Sequence, residues 1–279
     1  MRKGRRLAWA RKPVIGAAMD SEDSRQAAWP VEYATASPWP ARAADELPEL
    51  SVVVPVRNEA PNIAPLVAEI RAALAGLAFE IVYVDDGSSD GTAEALRAEA
   101  GARLVVRRHT VSCGQSAAIV TGVRAARGTW IATLDGDGQN DPADIPALLA
   151  RARAETALTL VAGHRTRRRD RWGKRVTSRI ANVVRSRMLG DATPDTGCGL
   201  KVFARETFLR LPAFDHMHRF LPALFIREGG RVVSVPVNHR PRLRGRSNYG
   251  TIDRALVGVV DLFGVAWLLR RWKQPTVLD

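Results

Sequence analysis

Asp135 and Asp137 stand two residues apart in TLDGDGQNDP, residues 133–142, with Gly136 between them and Gly138 after. In an extended segment residues two apart point the same way, and glycines let the chain turn tightly. Carboxylate oxygens are hard donors suited to Mg2+ or Mn2+, ions that commonly tie a few protein oxygens to substrate phosphates. The chain around them is basic, with 42 Lys and Arg against 29 Asp and Glu in 279 residues and a formal net charge of +13. Carboxylates concentrated in such a chain read as a cation site whose further ligand is a diphosphate. Taken alone, the same stretch would also serve as a solvated acidic turn.

The elements that must position these residues are legible as short β-branched runs alternating with Ala-rich stretches of helical period, the pattern of a βαβ sheet. Strands are predicted at 51–56, 79–85, 103–108, 129–135 and 158–163, and their near-continuous apolar character suits strands covered on both faces. Helices are predicted at 63–75, 91–100, 115–127 and 143–153, with Gly76, Gly101 and Gly128 as stops after the first three. Beyond residue 163 the pattern loosens into a helix over 176–189, a strand in LKVFA, a short helix at 219–228 and a strand at 231–237. No internal repeat is present.

In open α/β sheets ligands bind at the carboxyl ends of the strands. Polar clusters fall at those ends: RNEAPN, DDGSSDGT, HTVSCGQS and DGDGQNDP follow the first four strands in turn. Four loops converging on one crevice weigh more than any one of them.

The ordered set VPVRNE (54–59), VDDGSSDGT (84–92), GQSAA (114–118), DGDGQNDP (135–142), DTGCGLK (195–201), HRF (218–220) and RGRSNY (244–249) resembles family 2 glycosyltransferases. Within that family it is most similar to the polyprenyl-phosphate group, the dolichol-phosphate mannosyltransferases and undecaprenyl-phosphate sugar transferases. The resemblance covers roughly residues 50–250. It implies a single α/β domain of the GT-A type, a Rossmann-like mixed, mostly parallel sheet flanked by helices. It also implies a nucleotide-sugar donor, a polyprenyl-phosphate acceptor and inversion without a covalent enzyme intermediate. A uridine diphosphate donor is favoured because the bacterial members most like it use one. The Ala- and Arg-rich composition favours an undecaprenyl acceptor.

Carried over by position, the resemblance makes Pro55, Glu59, Asp86, Gln115 and Asp135 nucleotide-binding, with Glu59 at the ribose, Asp86 at the base and Gln115 in the loop over the nucleotide. Asp86 also suits a turn residue stabilising a D-G turn. Asp135, Asp137 and Gln139 match the metal and diphosphate set, Gln139 supplying a neutral carbonyl. Arg165, Lys174, Arg175, Ser178 and Arg179 fall where the group binds the acceptor phosphate, in a segment with ten Lys or Arg against one Asp between Arg165 and Arg187. The same charge run would also suit a face toward anionic lipid. Arg244, Arg246 and Ser247 form a second basic loop that closes on the diphosphate. Asp137 and Asp195 are the catalytic candidates, Asp195 near the acceptor or, alternatively, a helix cap or turn residue. His216 and His218 lack an evident third ligand and are expected in turn or core roles. Cys198 is expected to be a packing residue.

Cys113 and Cys198 belong to no C-x-x-C pair, so neither a disulfide framework nor a structural zinc site is expected, and a reducing cytoplasm is the simpler reading. Residues 1–48 show no export signal and are expected to form a flexible arm, followed by the catalytic domain at 49–249 and a tail at 250–279. In that tail Ala255–Leu269 is apolar apart from Asp261 but spans 15 residues, short of the roughly 20 that cross a bilayer. Arg254, Arg270, Arg271 and Lys273 with Trp267 and Trp272 suit an amphipathic helix at an anionic membrane surface. Packing on the domain or a partner subunit is the other reading. The expected location is peripheral, at the inner face of the cell membrane, with a small membrane protein as a possible partner.

Three alternatives bear on function. A hydroxyl acceptor on a saccharide, protein or lipid would make Asp195 an essential base. A nucleotidyltransferase would want a Gly-rich phosphate loop after the first strand, and VPVRNEAPN has none. A nucleic-acid-binding protein is disfavoured, since the acidic loops would repel a polyanion and the basic segment is not interleaved with aromatics.

Overall fold

Val52, Val54 and Val56 of the first strand pack into one apolar cluster while Val53 packs into a second on the opposite face, so the strand is covered on both sides. The computed structural model describes residues 47–101, 103–165, 185–191, 193–242, 251–271 and 273, with backbone alone at 251–257. The expected arm at 1–48 lies almost wholly outside them.

The strands are β1 (Leu50–Val56), β2 (Phe79–Asp85), β3 (Leu104–Arg108), β4 (Trp130–Thr133), β5 (Thr159–Arg165), β6 (Lys201–Ala204) and β7 (Arg231–Val237). They form one sheet in the order β3-β2-β1-β4-β6-β5-β7, parallel except for β6, which runs antiparallel to both neighbours. The expected mixed, mostly parallel α/β sheet is therefore present. Because β6 is reversed, its entry residues lie at the edge where the parallel strands exit. Thr133 pairs with Val53 on one side and with Lys201 on the other, so Asp135 emerges level with Pro55 and beside the turn that leads into β6.

The helices are α1 (Ala60–Ala73), α2 (Thr92–Ala98), α3 (Gln115–Ala125), α4 (Ile145–Arg153), α5 (185–189 among the described residues), α6 (Arg205–Leu209), α7 (Leu221–Arg227) and α8 (Thr251–Arg271). Short 3-10 turns run over Pro142–Asp144 and Met217–Arg219. α1 buries Ile63, Leu66, Val67 and Ile70, one face of a 3.6-residue period. It begins three residues earlier than its apolar pattern predicts, because Pro61 fits a first turn that has no use for its missing N–H. α1, α2 and α4 cover one face of the sheet, and α3, α6, α7 and α8 the other. On the second face Phe203 stacks on Phe208 at 5.1 Å and tilts against Phe225 at 5.6 Å, joining β6, α6 and α7.

Gly128 corrects one expectation. It is required by close approach rather than as a helix stop: a Cβ there would lie 2.7 Å from the Ser51 nitrogen at the start of β1. α8 is longer than the apolar run read from sequence, 21 residues. Among the described residues no helix is long and apolar enough to cross a membrane.

Candidate active site

The loops after β1 and β2 are knitted together before any ligand is considered. Asp86 N donates to Val56 O at 2.9 Å and Glu59 N to Thr92 Oγ1 at 3.0 Å. Asn58, in the left-handed region at φ 56, accepts from Ser89 N at 2.9 Å and donates through its own N–H to Ser88 Oγ at 3.0 Å. Glu59 is thereby fixed at the cleft wall with its carboxylate accepting from Asn62 Nδ2 at 2.6 Å. Burial pushes its pKa up, and Asn62 and Arg242 pull it back.

Asp86 lines the same cleft and holds the next loop. Its carboxylate accepts from Ser112 Oγ at 2.7 Å, Cys113 N at 2.8 Å and Gly114 N at 2.9 Å, and lies 2.7 Å from His109 Nδ1. Burial would raise its pKa, but His109, the two amides and the hydroxyl outweigh it and bring it down to about 2. Asp86, His109 and Cys113 lie close enough to share an ion. That trio is better explained without one, since the Asp86 oxygens are saturated by donors and His109 Nε2 is engaged with Thr121 Oγ1 at 2.9 Å. The consequence of this pinning is the position of Gln115, the first residue of α3, whose Nε2 donates to Asp135 Oδ1 at 2.8 Å.

Asp135 lies deep at the end of β4, against the backbone of Gly199. A Cβ at Gly199 would fall 2.2 Å from Asp135 Oδ2, so only glycine leaves room for the carboxylate. Burial raises the Asp135 pKa and Asp137 adds to it, while Lys201, Gln115 and Arg165 act in the opposite sense. Asp137 accepts from Gln139 N at 3.1 Å and from Arg242 Nη2 at 2.6 Å. Arg242 Nη1 reaches Glu59 Oε1 at 3.1 Å, so one guanidinium spans the cleft. It is carried there by the chain after β7, where Arg240 N donates to Gln139 O at 2.9 Å and His239 bridges to Asn140. Arg240 itself pairs with Asp141 and Glu69.

The donor set fits Mg2+ or Mn2+. The Asp135 and Asp137 carboxylates and the Gln139 amide carbonyl, all in the wall of one cleft, are hard oxygen donors. Asp137 already attracts one cation, the Arg242 guanidinium.

On the opposite wall Arg165, the last residue of β5, is clamped by Asp195. Its Nε lies 2.7 Å from Asp195 Oδ2 and its Nη2 2.8 Å from Oδ1, a bidentate pair in which both side chains are largely buried. Lys201 is buried beneath, with Nζ donating to Cys198 O. Cys198 is fully buried, as its packing role predicts. His216 adopts a left-handed turn at φ 62 with Nδ1 2.9 Å from Asp261.

The predicted residues Pro55, Glu59, Asp86, Gln115, Asp135, Asp137, Gln139 and Arg165 line one cleft of about 340 Å³. Asp195 joins them through Arg165. Lys174, Arg175, Ser178, Arg179, Arg244, Arg246 and Ser247 lie outside the described residues. A second cavity of about 220 Å³ adjoins the first, sharing Pro55, Gln115, Asp135 and Gly197 with it. Its other walls include Lys201, His218 and Arg219. Sequence reading did not single out Arg242, Lys201 or Arg219, although each sits inside or beside a quoted motif, and it assigned His218 a turn or core role.

A family model described as Glycosyl transferase family 2 matches residues 51–211, more than half of the chain. This chain belongs to glycosyl transferase family 2. Among curated relatives of this family 2 glycosyltransferase, dodecaprenyl-phosphate galacturonate synthase of Rhizobium johnstonii is 34% identical over 234 residues, covering 81% of this chain and 69% of that protein. Undecaprenyl-phosphate 4-deoxy-4-formamido-L-arabinose transferase of Edwardsiella ictaluri is 36% identical over 209 residues, covering 72% of this chain and 63% of that protein. The chain thus spans less than two thirds of the length of the arabinose transferase. Among solved structures, a mannosyltransferase from Pyrobaculum calidifontis in complex with GDP-Man and Mn2+ aligns with a TM-score of 0.59 at 26% identity, over 86% of this chain and 69% of that one. Glucosyl-3-phosphoglycerate synthase from Mycobacterium tuberculosis, in complex with Mg2+ and uridine diphosphate, aligns with a TM-score of 0.61 at 23% identity, over 80% of this chain and 79% of that one, a likeness of fold.

Proposed function

We propose that this glycosyltransferase moves a sugar, with inversion, from a nucleoside diphosphate to a polyprenyl phosphate at an anionic membrane surface. The observation that carries this reading is the meeting in one cleft of the Asp135 and Asp137 carboxylates with the Arg165 guanidinium that Asp195 clamps. The names of the curated relatives support the acceptor class.

In this reading Glu59 holds the ribose, Asp86 fixes the 112–114 loop as the wall against which the base lies, and Asp135, Asp137 and Gln139 hold Mg2+ or Mn2+. The bound cation would supply positive charge to the departing diphosphate. Arg242, already between Glu59 and Asp137, would turn from those carboxylates to the diphosphate oxygens. Arg165, held in place by Asp195 through Nε and Nη2, would orient the acceptor phosphate with its remaining N–H groups. A phosphate monoester with a second pKa near about 6 is largely ionised at neutral pH, so no side chain need remove a proton. One phosphate oxygen attacks the anomeric carbon as the bond to the diphosphate breaks on the other face.

The hydroxyl-acceptor alternative has less support, because both oxygens of its would-be base Asp195 accept from Arg165. For the membrane, α8 leaves Val259, Val260, Phe263 and Trp267 exposed along one side while Val265 and Ala266 are buried. Arg270, Arg271 and Lys273 follow at its end, an arrangement suited to an interfacial helix.

The test is transfer of radiolabelled sugar from uridine and guanosine diphosphate sugars to undecaprenyl phosphate, with Mn2+ or Mg2+ and with EDTA. Label in the lipid fraction that EDTA abolishes is expected. Label transferred only to a hydroxyl acceptor would replace the reading.

A further inference from the structure

Asp261 is the one acidic residue in the apolar run Ala255–Leu269 of α8. It stands one turn before Val265, which is buried against the second face of the sheet, so it lies on the side of the helix turned to the domain. Leu262, Leu268 and Leu269 pack against that same cluster. Val259, Val260, Phe263 and Trp267, on the outer side, are exposed. Apolar packing is non-directional, so a seam of Leu, Val and Ala holds the rotation and register of α8 only loosely. A polar contact inside such a seam selects one arrangement.

That contact is with His216. Asp261 Oδ2 is closed off from solvent and lies 2.9 Å from His216 Nδ1, the side chains being 19% and 30% exposed respectively. His216 is held at φ 62, and its N–H donates to Asp215 Oδ1 at 2.8 Å. The chain runs straight on into the 3-10 turn Met217–Arg219. There His218 N donates to Ser116 Oγ at 3.2 Å, and the same hydroxyl lies 2.7 Å from His218 Nδ1. Ser116 follows Gln115, whose Nε2 donates to Asp135. Three polar contacts thus lead from α8 to the cleft, through Asp261 with His216, His218 with Ser116 and Gln115 with Asp135. Neither Asp261 nor His216 lines either cavity, and neither has a task in the nucleotide, cation or acceptor contacts assigned above.

We propose that the Asp261–His216 contact is the latch that fixes the angle between α8 and the cleft, and so positions the enzyme for a phosphate carried in a lipid surface. The inference rests on the polyprenyl-phosphate and interfacial-helix readings above and assigns two positioning residues to them. A phosphate anchored in a bilayer cannot turn freely to meet the cleft, so the cleft must reach the surface at the right tilt and height. A phosphate free in solution makes no such demand. Misplacement by about 1 Å through a change far from the reacting atoms costs on the order of 10²-fold in rate.

The test uses the whole chain with Mn2+ and the labelled uridine or guanosine diphosphate sugar that gives transfer in the assay above. Two acceptors are compared: undecaprenyl phosphate in phosphatidylglycerol vesicles, and farnesyl phosphate dissolved below its micellar range without vesicles. Asp261→Ala and His216→Gly each remove the contact, glycine being suited to φ 62. Both are expected to lower kcat/KM for the vesicle acceptor about tenfold or more, while kcat/KM for farnesyl phosphate, nucleotide affinity and vesicle sedimentation stay within about twofold. An equal loss with both acceptors would make the pair a support of the cleft itself and overturn the latch. Unchanged transfer to both acceptors would overturn it too, as would loss of sedimentation in the variants. One change leaves the turn intact and the other leaves the helix intact, so if either variant fails to fold the other decides. Failure of the unmodified protein to use a lipid phosphate, or to sediment with vesicles, would sink the readings beneath and the latch with them.

Discussion

Arg242 Nη2 lies 2.6 Å from Asp137 Oδ2, and the two residues are 105 positions apart in the chain. The guanidinium occupies a carboxylate oxygen that a divalent cation would need, so the two compete for it.

Removing the competitor should therefore tighten metal binding in the nucleotide-free protein. Arg242→Ala is expected to lower the Mn2+ dissociation constant by about three- to tenfold, less than a buried hydrogen bond to a charged group would give because the pair is partly exposed. The same variant should lose transfer activity, since the diphosphate loses a cation. Asp137→Ala should abolish Mn2+ binding and cost about 10²–10³ or more in transfer rate, with thermal stability little changed. Mn2+ titration followed by electron paramagnetic resonance reads both variants, and an unchanged constant for Arg242→Ala would show that the pair does not compete.

Asp86 should stabilise the fold in a pH-dependent way. Its pKa is depressed from an ordinary 3.8 to about 2, so its contribution is fully present above the ordinary value and is lost as pH falls through the folded one. The shift corresponds to about 2 kcal/mol at neutral pH. Urea unfolding of the wild-type protein and Asp86→Asn should differ by about that amount at pH 7 and by about half as much near pH 3. A constant gap across the series would mean that the loop it holds, rather than its ionisation, sets the cost.

The Asp195 clamp should act through Arg165. Asp195→Asn keeps the shape of the side chain but weakens the bidentate pair, and the expected result is a rise of about tenfold or more in KM for the lipid phosphate. Donor affinity by direct titration should stay within about twofold. If instead the reaction stops with acceptor KM unchanged, Asp195 takes part in the chemistry itself.

Charge on the outer side of α8 should detach the protein from lipid. Phe263 and Trp267 are each 62% exposed, so Phe263→Glu and Trp267→Glu remove no core packing. Their combination is expected to abolish sedimentation with phosphatidylglycerol vesicles at low salt, while nucleotide binding is kept. Persistent sedimentation would assign the attachment to another part of the chain.

Much of the fold was legible because it is local. β2 and β7 begin and end where their apolar runs do, and the polar loops that punctuate the first four strands do gather at one edge. Asp135, Asp137, Glu59 and Gln115 reach the cleft because a parallel sheet sends every strand end to the same side. The family was likewise readable from motifs whose spacing lies within single loops.

Tertiary structure decided what no local pattern encodes. The reversal of β6 brings Lys201 and Gly199 against Asp135, and strand direction leaves no trace in a strand as short as KVFA. The pairing of Arg165 with Asp195 joins residues 30 apart, and that of Ser116 with His218 joins residues 102 apart. Sequence alone determined which residue types stand at the strand ends and hence the kind of chemistry. Only the packed chain decided which cation faces which carboxylate, because those partners lie 30 or 105 positions apart and meet through the order of strands in the sheet.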